Sequence, residues 1–286
     1  MKSWPILIIV FISLFLIGCT QVDDSSIKEF KKEGFGELDV DRELSYFPRN
    51  VYQGSSFDVE LSLINKAAYN AENVKVTLAG FDNSYVDIIT HKEERESIAG
   101  RSIFDRNGES ANFIFGGQVK DLQGKESELQ NYFLYLNYDS TVEFISEPCI
   151  GTRQRYVGLQ DNECVISEDP IRYSGQGAPL AVESMEVIPP SADGGKIEFR
   201  MKIRNRGKGE VNKIKLDKAT ISNEDLDCFF RGKSSETREI ELSETDEAEL
   251  ICRKDLESQN RYTTTLFISL SYDYERVIKQ SLELQR

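Results

Sequence analysis

Two stretches of this chain alternate apolar and polar residues in the same order. Phe57, Val59, Leu61 and Leu63 alternate with Asp58, Glu60 and Ser62; Ile197, Phe199, Met201 and Ile203 alternate with Glu198, Arg200 and Lys202. The stretches end on Asn65 and Asn205 at one constant offset. Each is followed by a second apolar pair, Val74 and Val76 or Ile214 and Leu216. A period of two is that of a strand with one face in a core and the other in water. Long amphipathic helix signals are absent. The chain therefore reads as a duplicated β protein.

The copies also match near their ends. Phe133-Leu134-Tyr135-Leu136-Asn137-Tyr138-Asp139 parallels Phe267-Ile268-Ser269-Leu270-Ser271-Tyr272-Asp273. A further apolar run follows each, Val142 to Ile145 and Val277 to Leu284, so the Tyr-Asp steps predict hairpin turns. Tyr132 and Tyr262 precede these strands, where a tyrosine corner would sit. Shorter strand candidates lie between, at Val86 to Ile89, Asn112 to Phe115, Cys228 to Phe230, Arg238 to Leu242 and Ala248 to Cys252. Ser243 to Glu247 reads as a turn. The expected fold class is all-β, two tandem β-sandwiches of about seven strands each.

The run from Phe199 through Asn205 and Gly207 to Ile214 and Leu216 resembles the immunoglobulin-like modules found in tandem on bacterial and archaeal surfaces. The cell-adhesion-related domain of bacterial surface proteins and archaeal surface-layer-like modules share this pattern. Copy one departs from it, with Ala67 where the turn glycine would sit. The resemblance implies a surface spacer or interaction module without catalytic residues. It places sandwich one at 38–147, a linker at 148–179 and sandwich two at 180–286.

Met1 and Lys2 precede an apolar run, Trp4 to Ile17, that ends in Leu16-Ile17-Gly18-Cys19. This resembles the lipobox of a bacterial-type lipoprotein. It implies a signal peptide over 1–19, cleavage before Cys19 and a lipid on that thiol. The rival is an uncleaved signal anchor, but the run falls short of the about 20 apolar residues of a membrane span. Both readings place the rest of the chain on the extracytoplasmic side of a cell membrane. Residues 20–37 are polar and read as a flexible stalk. Within it, Gly34-Phe35-Gly36 is no phosphate loop, because no apolar strand precedes it and no helix signal follows.

The net charge of -14 repels nucleic acid and anionic lipid, so neither class of partner is expected from charge. Of the five cysteines, Cys19 is assigned to lipid, which leaves Cys149, Cys164, Cys228 and Cys252. An even number in an oxidising compartment points to disulfides, with three possible connectivities. The local one, Cys149 with Cys164 and Cys228 with Cys252, closes each loop within one segment. Zinc is disfavoured because no C-x-x-C pair exists.

The linker carries Arg153, Arg155, Tyr156 and Tyr173, residue types that anchor interfaces, and is also consistent with a plain stapled connection. The single histidine, His91, sits in the charged run His91-Lys92-Glu93-Glu94-Arg95, expected as an exposed loop. No Gly-x-Ser-x-Gly elbow accompanies it. With 49 acidic residues, no carboxylate pair can be singled out for glycoside cleavage. Asp39, Asp41 and Glu43 alternate like oxygen ligands near a domain end, but Asp105 to Glu109 lacks the spacing of a calcium loop and reads as a turn. No cofactor or metal is expected. The expected function is a non-enzymatic, lipid-anchored surface protein with a structural, adhesive or protein-binding role. Its partners would be the membrane through the lipid and another envelope protein or glycan. The alternatives are an accessory lipoprotein of a transport or secretion complex, and a secreted β-sandwich hydrolase.

Overall fold

The computed structural model of the chain describes residues 32–151, 164–190, 195–233, 237–242, 246–256 and 261–286. Lys32–Arg286 forms one compact unit. The first repeat supplies β1 (Leu38–Val40), β2 (Asn50–Tyr52), β3 (Ser56–Asn65), β4 (Ala71–Ala79), β5 (Val86–Ile88), β6 (Lys92–Ile98), β7 (Ser110–Val119) and β8 (Ser127–Ser146). The short strands β9 (Cys149–Ile150) and β10 (Ile171–Arg172) follow. The second repeat supplies β11 (Leu180–Ile188), β12 (Lys196–Asn205), β13 (Glu210–Ile221), β14 (Glu224–Asp225), β15 (Asp227–Phe230), β16 (Glu239–Glu241), β17 (Glu247–Asp255), β18 (Tyr262–Thr263) and β19 (Leu266–Gln285). The fold is all-β, with antiparallel ladders except where β2 joins β19 in parallel.

The repeats build matching sheets, β1-β3-β7-β5 and β11-β12-β17-β15, with β10 added to the edge of the second. They then share an eight-stranded sheet in the order β14-β13-β19-β8-β4-β6, with β16 also paired to β13 and β2 to β19. Strict alternation buries one face of each sheet: Val59, Leu61 and Leu63 on β3, Phe199, Met201 and Ile203 on β12, and Leu134 and Leu136 on β8. Each such side chain contributes on the order of 1.5–3 kcal/mol by leaving water. Phe81 links layers: its ring lies 5.8 Å from Phe57 and stacks 4.8 Å from Tyr132.

The repeat asparagines are turn clamps. Asn65 Nδ2 donates to Tyr69 O and Ile98 O at 3.0 and 2.9 Å, and its Oδ1 accepts from Ala67 N at 3.0 Å. Asn205 Nδ2 donates to Gly209 O at 2.7 Å and its Oδ1 accepts from Gly207 N at 3.0 Å. A buried amide that satisfies several turn groups is costly to replace, which accounts for its place in both copies.

The predicted hairpins do not form. Tyr138-Asp139 and Tyr272-Asp273 lie inside β8 and β19, continuous 20-residue strands paired from Ser127↔Gln285 to Ser146↔Leu266. The alternation never breaks: Tyr138, Ser140, Val142 and Phe144 are all buried on one face. No glycine or proline stands at either step to turn the chain. As a result, the second half of each long strand lies beside the first half of the other. Residues 276–285 run along 127–136, and residues 140–146 run along 266–272.

Three further expectations change. His91 to Arg95 is not a loop, because Lys92 onward forms β6, an edge strand whose charges face water, as edges commonly do. No tyrosine corner forms: the buried Tyr132 hydroxyl has no hydrogen-bond partner among the described residues, and Tyr262 is exposed. Residues 32–37, expected as the end of a stalk, are built into the body. Lys32 Nζ pairs with Glu143 at 2.8 Å, Gly34 bridges to Gln176, and Gly36 packs so tightly on Lys66 that a Cβ would lie 2.2 Å from its carbonyl oxygen. In the 148–179 linker, Gln176 is buried and holds Val182 through both its amide atoms.

Candidate functional site

The two repeats meet where the start of β1, the β12–β13 turn and the middle of β19 converge. The turn, residues 206–209, approaches β19 closely because two of its residues are glycines. A Cβ on Gly207 would lie 2.2 Å from Tyr274 Oη, and one on Gly209 would lie 2.2 Å from Glu275 O. This approach brings Lys208 over β1. Glu37 Oε2 accepts from Tyr274 Oη at 2.5 Å and from Lys208 N at 2.9 Å. Arg276 Nη1 donates to Glu37 Oε1 at 3.3 Å and to Asp39 Oδ1 at 2.9 Å, and Lys208 Nζ reaches Asp39 Oδ2 at 2.9 Å. Lys66 adds a third cation, 3.4 Å from Asp39.

The electrostatics follow from burial and pairing. Burial raises the Asp39 carboxyl, but hydrogen bonds from Arg276 and Lys208 outweigh it and hold Asp39 well below the usual carboxylate range. Burial and the bond to Glu37 both push the Tyr274 phenol up. At neutral pH, Asp39 is a fixed anion and Tyr274 a fixed donor. Neither is poised near pH 7 for proton transfer.

A groove of about 920 Å³ opens beside this cluster. Val40, Phe47, Ile64 and Ile278 give it apolar surface, and Arg42, Glu43, Lys66 and Lys208 give it charge. Charged and polar residues make up most of the lining, so the groove suits a ligand that makes polar contacts around a small apolar one. Two other hollows, of about 570 and 550 Å³, are lined by the second repeat with one linker residue each, Pro170 and Ile150. The first is crossed by surface ion pairs such as Lys202–Glu247, at 2.8 Å. Only the junction groove, among these three, draws on both repeats.

The residues singled out in the sequence do not gather here. Cys19, Arg153, Arg155 and Tyr156 lie outside the described residues. Tyr173 is half-buried elsewhere, its hydroxyl 2.8 Å from Ser146 Oγ and its ring edge-on to Phe144 at 4.7 Å. Cys149–Cys164 and Cys228–Cys252 are disulfides, the second directly across the β15–β17 ladder. Asp39 belongs to the cluster, whereas Asp41 caps the next turn by accepting from Glu43 N and Leu44 N. Asp105 likewise closes a turn onto Asn107 N and Gly108 N. His91 is exposed. Among the described residues no three His, Cys, Asp or Glu side chains form a metal-holding group, and no helix is long and apolar enough to cross a membrane.

Sequence reasoning missed Glu37, Lys208, Tyr274 and Arg276. The one legible signal was the glycine pair around Lys208, present in copy two and absent from copy one. No protein-family model matches the chain, and no curated protein matches it.

Proposed function

We propose that this protein is a non-enzymatic, lipid-anchored protein of the extracytoplasmic membrane face, whose body serves as a structural or adhesive, protein-binding module. In this reading the body is a pair of immunoglobulin-like sandwiches that have exchanged the last strand of each. The anchor rests on Leu16-Ile17-Gly18-Cys19, and the observation that supports a structural module is the β8–β19 ladder, in which 20 consecutive residue pairs lock the repeats together. Independent modules would need only short contacts between them; a ladder of this length makes a stiff unit suited to spacing or to bearing load. The junction groove then offers a binding surface on a rigid frame.

The anchor is tested by labelled-lipid incorporation in cells. Label is expected in the wild type and not in Cys19→Ala, and equal labelling removes the anchor. The binding role is tested by photo-crosslinking from Lys66 and Gln280 in the membrane-bound protein. A product at these positions, absent from a probe at Asp87 on β5, is the expected result.

One observation favours a second reading, an accessory subunit of a membrane complex. Ile114 on β7 is 52% exposed, and Tyr46 (58%) pairs with Glu60, the residue that faces Ile114 across the β3–β7 ladder. Ile89 lies at the far side of β7, so three exposed apolar side chains share this face with Glu60. Exposed apolar side chains that cluster on one face, rimmed by polar residues, suit a protein contact. Co-purification of a membrane complex with wild type but not with Ile114→Glu would favour it.

A further inference from the structure

The eight-stranded sheet has a gap in one edge. On the side of β19 away from β8, β13 covers Leu266 to Glu275 and β2 covers Glu283 to Gln285. Residues 276–282 between them have no strand on that side among the described residues. The outward groups are known from those flanks: Glu283 N donates to Arg49 O at 2.8 Å, and Gln285 O accepts from Gln53 N at 2.7 Å. By strand alternation, the N–H and C=O groups of Val277, Lys279 and Ser281 point the same way. The junction groove, lined there by Arg276, Ile278 and Gln280, runs alongside.

The other repeat shows how such a gap is closed. Glu143 on β8 is the counterpart of Val277. Its N–H donates to the Tyr69 hydroxyl at 3.0 Å, and that hydroxyl donates back to Glu143 O at 3.2 Å. Tyr69 thus caps the open edge of β8. Counting from the matched asparagines, the counterpart of Tyr69 is Gly209, which has no side chain and no room for one. The same edge is sealed in one repeat and left open in the other.

We propose that residues 276–282 of β19 are a docking edge for a short extended segment of another protein, which adds as a strand and lays alternate apolar side chains against Val40, Ile64 and Ile278 of the junction groove. A row of backbone donors and acceptors at strand spacing is matched by another extended backbone, and the groove beside it supplies pockets for alternate side chains. The ends of β13 and β2 limit the segment to a few residues. Lys279 stands in the middle of the edge, the kind of charge that discourages pairing between long identical strands. Both features select a short foreign segment over a second copy. The inference deepens the protein-binding reading and rests on it, but it does not need the lipid. A failure here leaves the outcome at Cys19 untouched.

The full chain, purified in detergent, is screened against a library of heptapeptides with apolar residues at alternate positions. Binders are expected that slow amide exchange at Val277, Lys279 and Ser281. Lys279→Pro removes one outward N–H and leaves the ladder to β8 intact, since proline is tolerated at a free edge. It is expected to weaken binding about tenfold or more. Ile278→Ser alters the groove and spares the edge, and is expected to weaken the same peptides several-fold. The proposal is overturned by a library that yields no binder, by binders indifferent to both variants, or by slowed exchange that appears only as the chain self-associates.

Discussion

Asp139 and Asp273 stand directly opposite each other in the β8–β19 ladder. They are also counterparts in the repeat, so a local two-fold axis passes between them. Like charges opposed across a ladder repel. Burial, and then the Asp139 charge, raises the Asp273 carboxyl above its ordinary value. Asn73 offsets part of this by donating to Asp139 Oδ2 at 2.8 Å. It does so from a left-handed conformation, φ 52°, at a register shift of β4.

Asp273→Asn is therefore expected to stabilise the protein at pH 7 by about 0.2–1 kcal/mol. A raised carboxyl favours the folded state when protonated, so the penalty in the wild type is present at neutral pH and fades as pH falls through the raised value. Urea unfolding at pH 7 and at pH 4 checks both parts: a gain at the first, and a smaller gain or none at the second.

Asp39 has the opposite sign. Its folded-state carboxyl is depressed, so its contribution is complete above the ordinary value of 3.8 and is lost as pH falls below it. Asp39→Asn is expected to cost about 1.5–3 kcal/mol at pH 7, the range for hydrogen bonds to charged groups. The variant should also lose less stability than wild type between pH 4 and pH 2. A parallel acid profile for the two proteins would contradict the pairing with Arg276 and Lys208.

The long ladder predicts that the repeats unfold together. Calorimetry should show one transition whose calorimetric and van't Hoff enthalpies agree. Ser140→Pro, at the centre of the ladder and buried, should lower the midpoint of that single transition by removing an inter-repeat hydrogen bond. Two separate transitions in the wild type would mean the repeats are independent.

Replacing both Cys228 and Cys252 with serine removes a cross-link that spans 24 residues. The expected loss is about 3 kcal/mol from loop entropy, with a further cost for burying hydroxyls where both sulfurs are buried. Denaturant midpoints with and without reductant check this. Wild type should fall toward the variant only when reduced.

Gly36→Ala and Gly209→Ala each force a Cβ to 2.2 Å from a backbone oxygen. Losses of about 1–3 kcal/mol are expected for each, as for other overpacked sites. At Gly124 nothing lies within 4 Å of an added Cβ, and only its left-handed φ of 86° opposes alanine. The Gly124 variant should lose less than either, by thermal unfolding.

The strand pattern was legible where alternation was strong. Phe57 to Asn65 and Ile197 to Asn205 fall within β3 and β12, Asn112 to Phe115 falls within β7, and Val86 to Ile89 overruns β5 by one residue. Less legible was β6, because Lys92 to Glu96 lacks apolar residues. Its strand character comes from pairing with β4, not from its own side chains. Tyr138-Asp139 misled because the same dipeptide suits a turn or the middle of a strand whose Tyr enters the core while its Asp faces water. The junction escaped notice because Glu37, Lys208 and Arg276 are far apart in the chain and carry no spacing signal.

The period of two and its duplication determined, from the sequence alone, that the chain forms layered strands with one greasy face each. Those properties are local, set by how successive side chains leave a pleated backbone. Which strand pairs with which is not local. A strand offers the same backbone edge to any neighbour, so only the folded body decided that β8 and β19 run on past their Tyr-Asp steps and clasp each other. The junction groove and the open edge at Val277 are consequences of that choice.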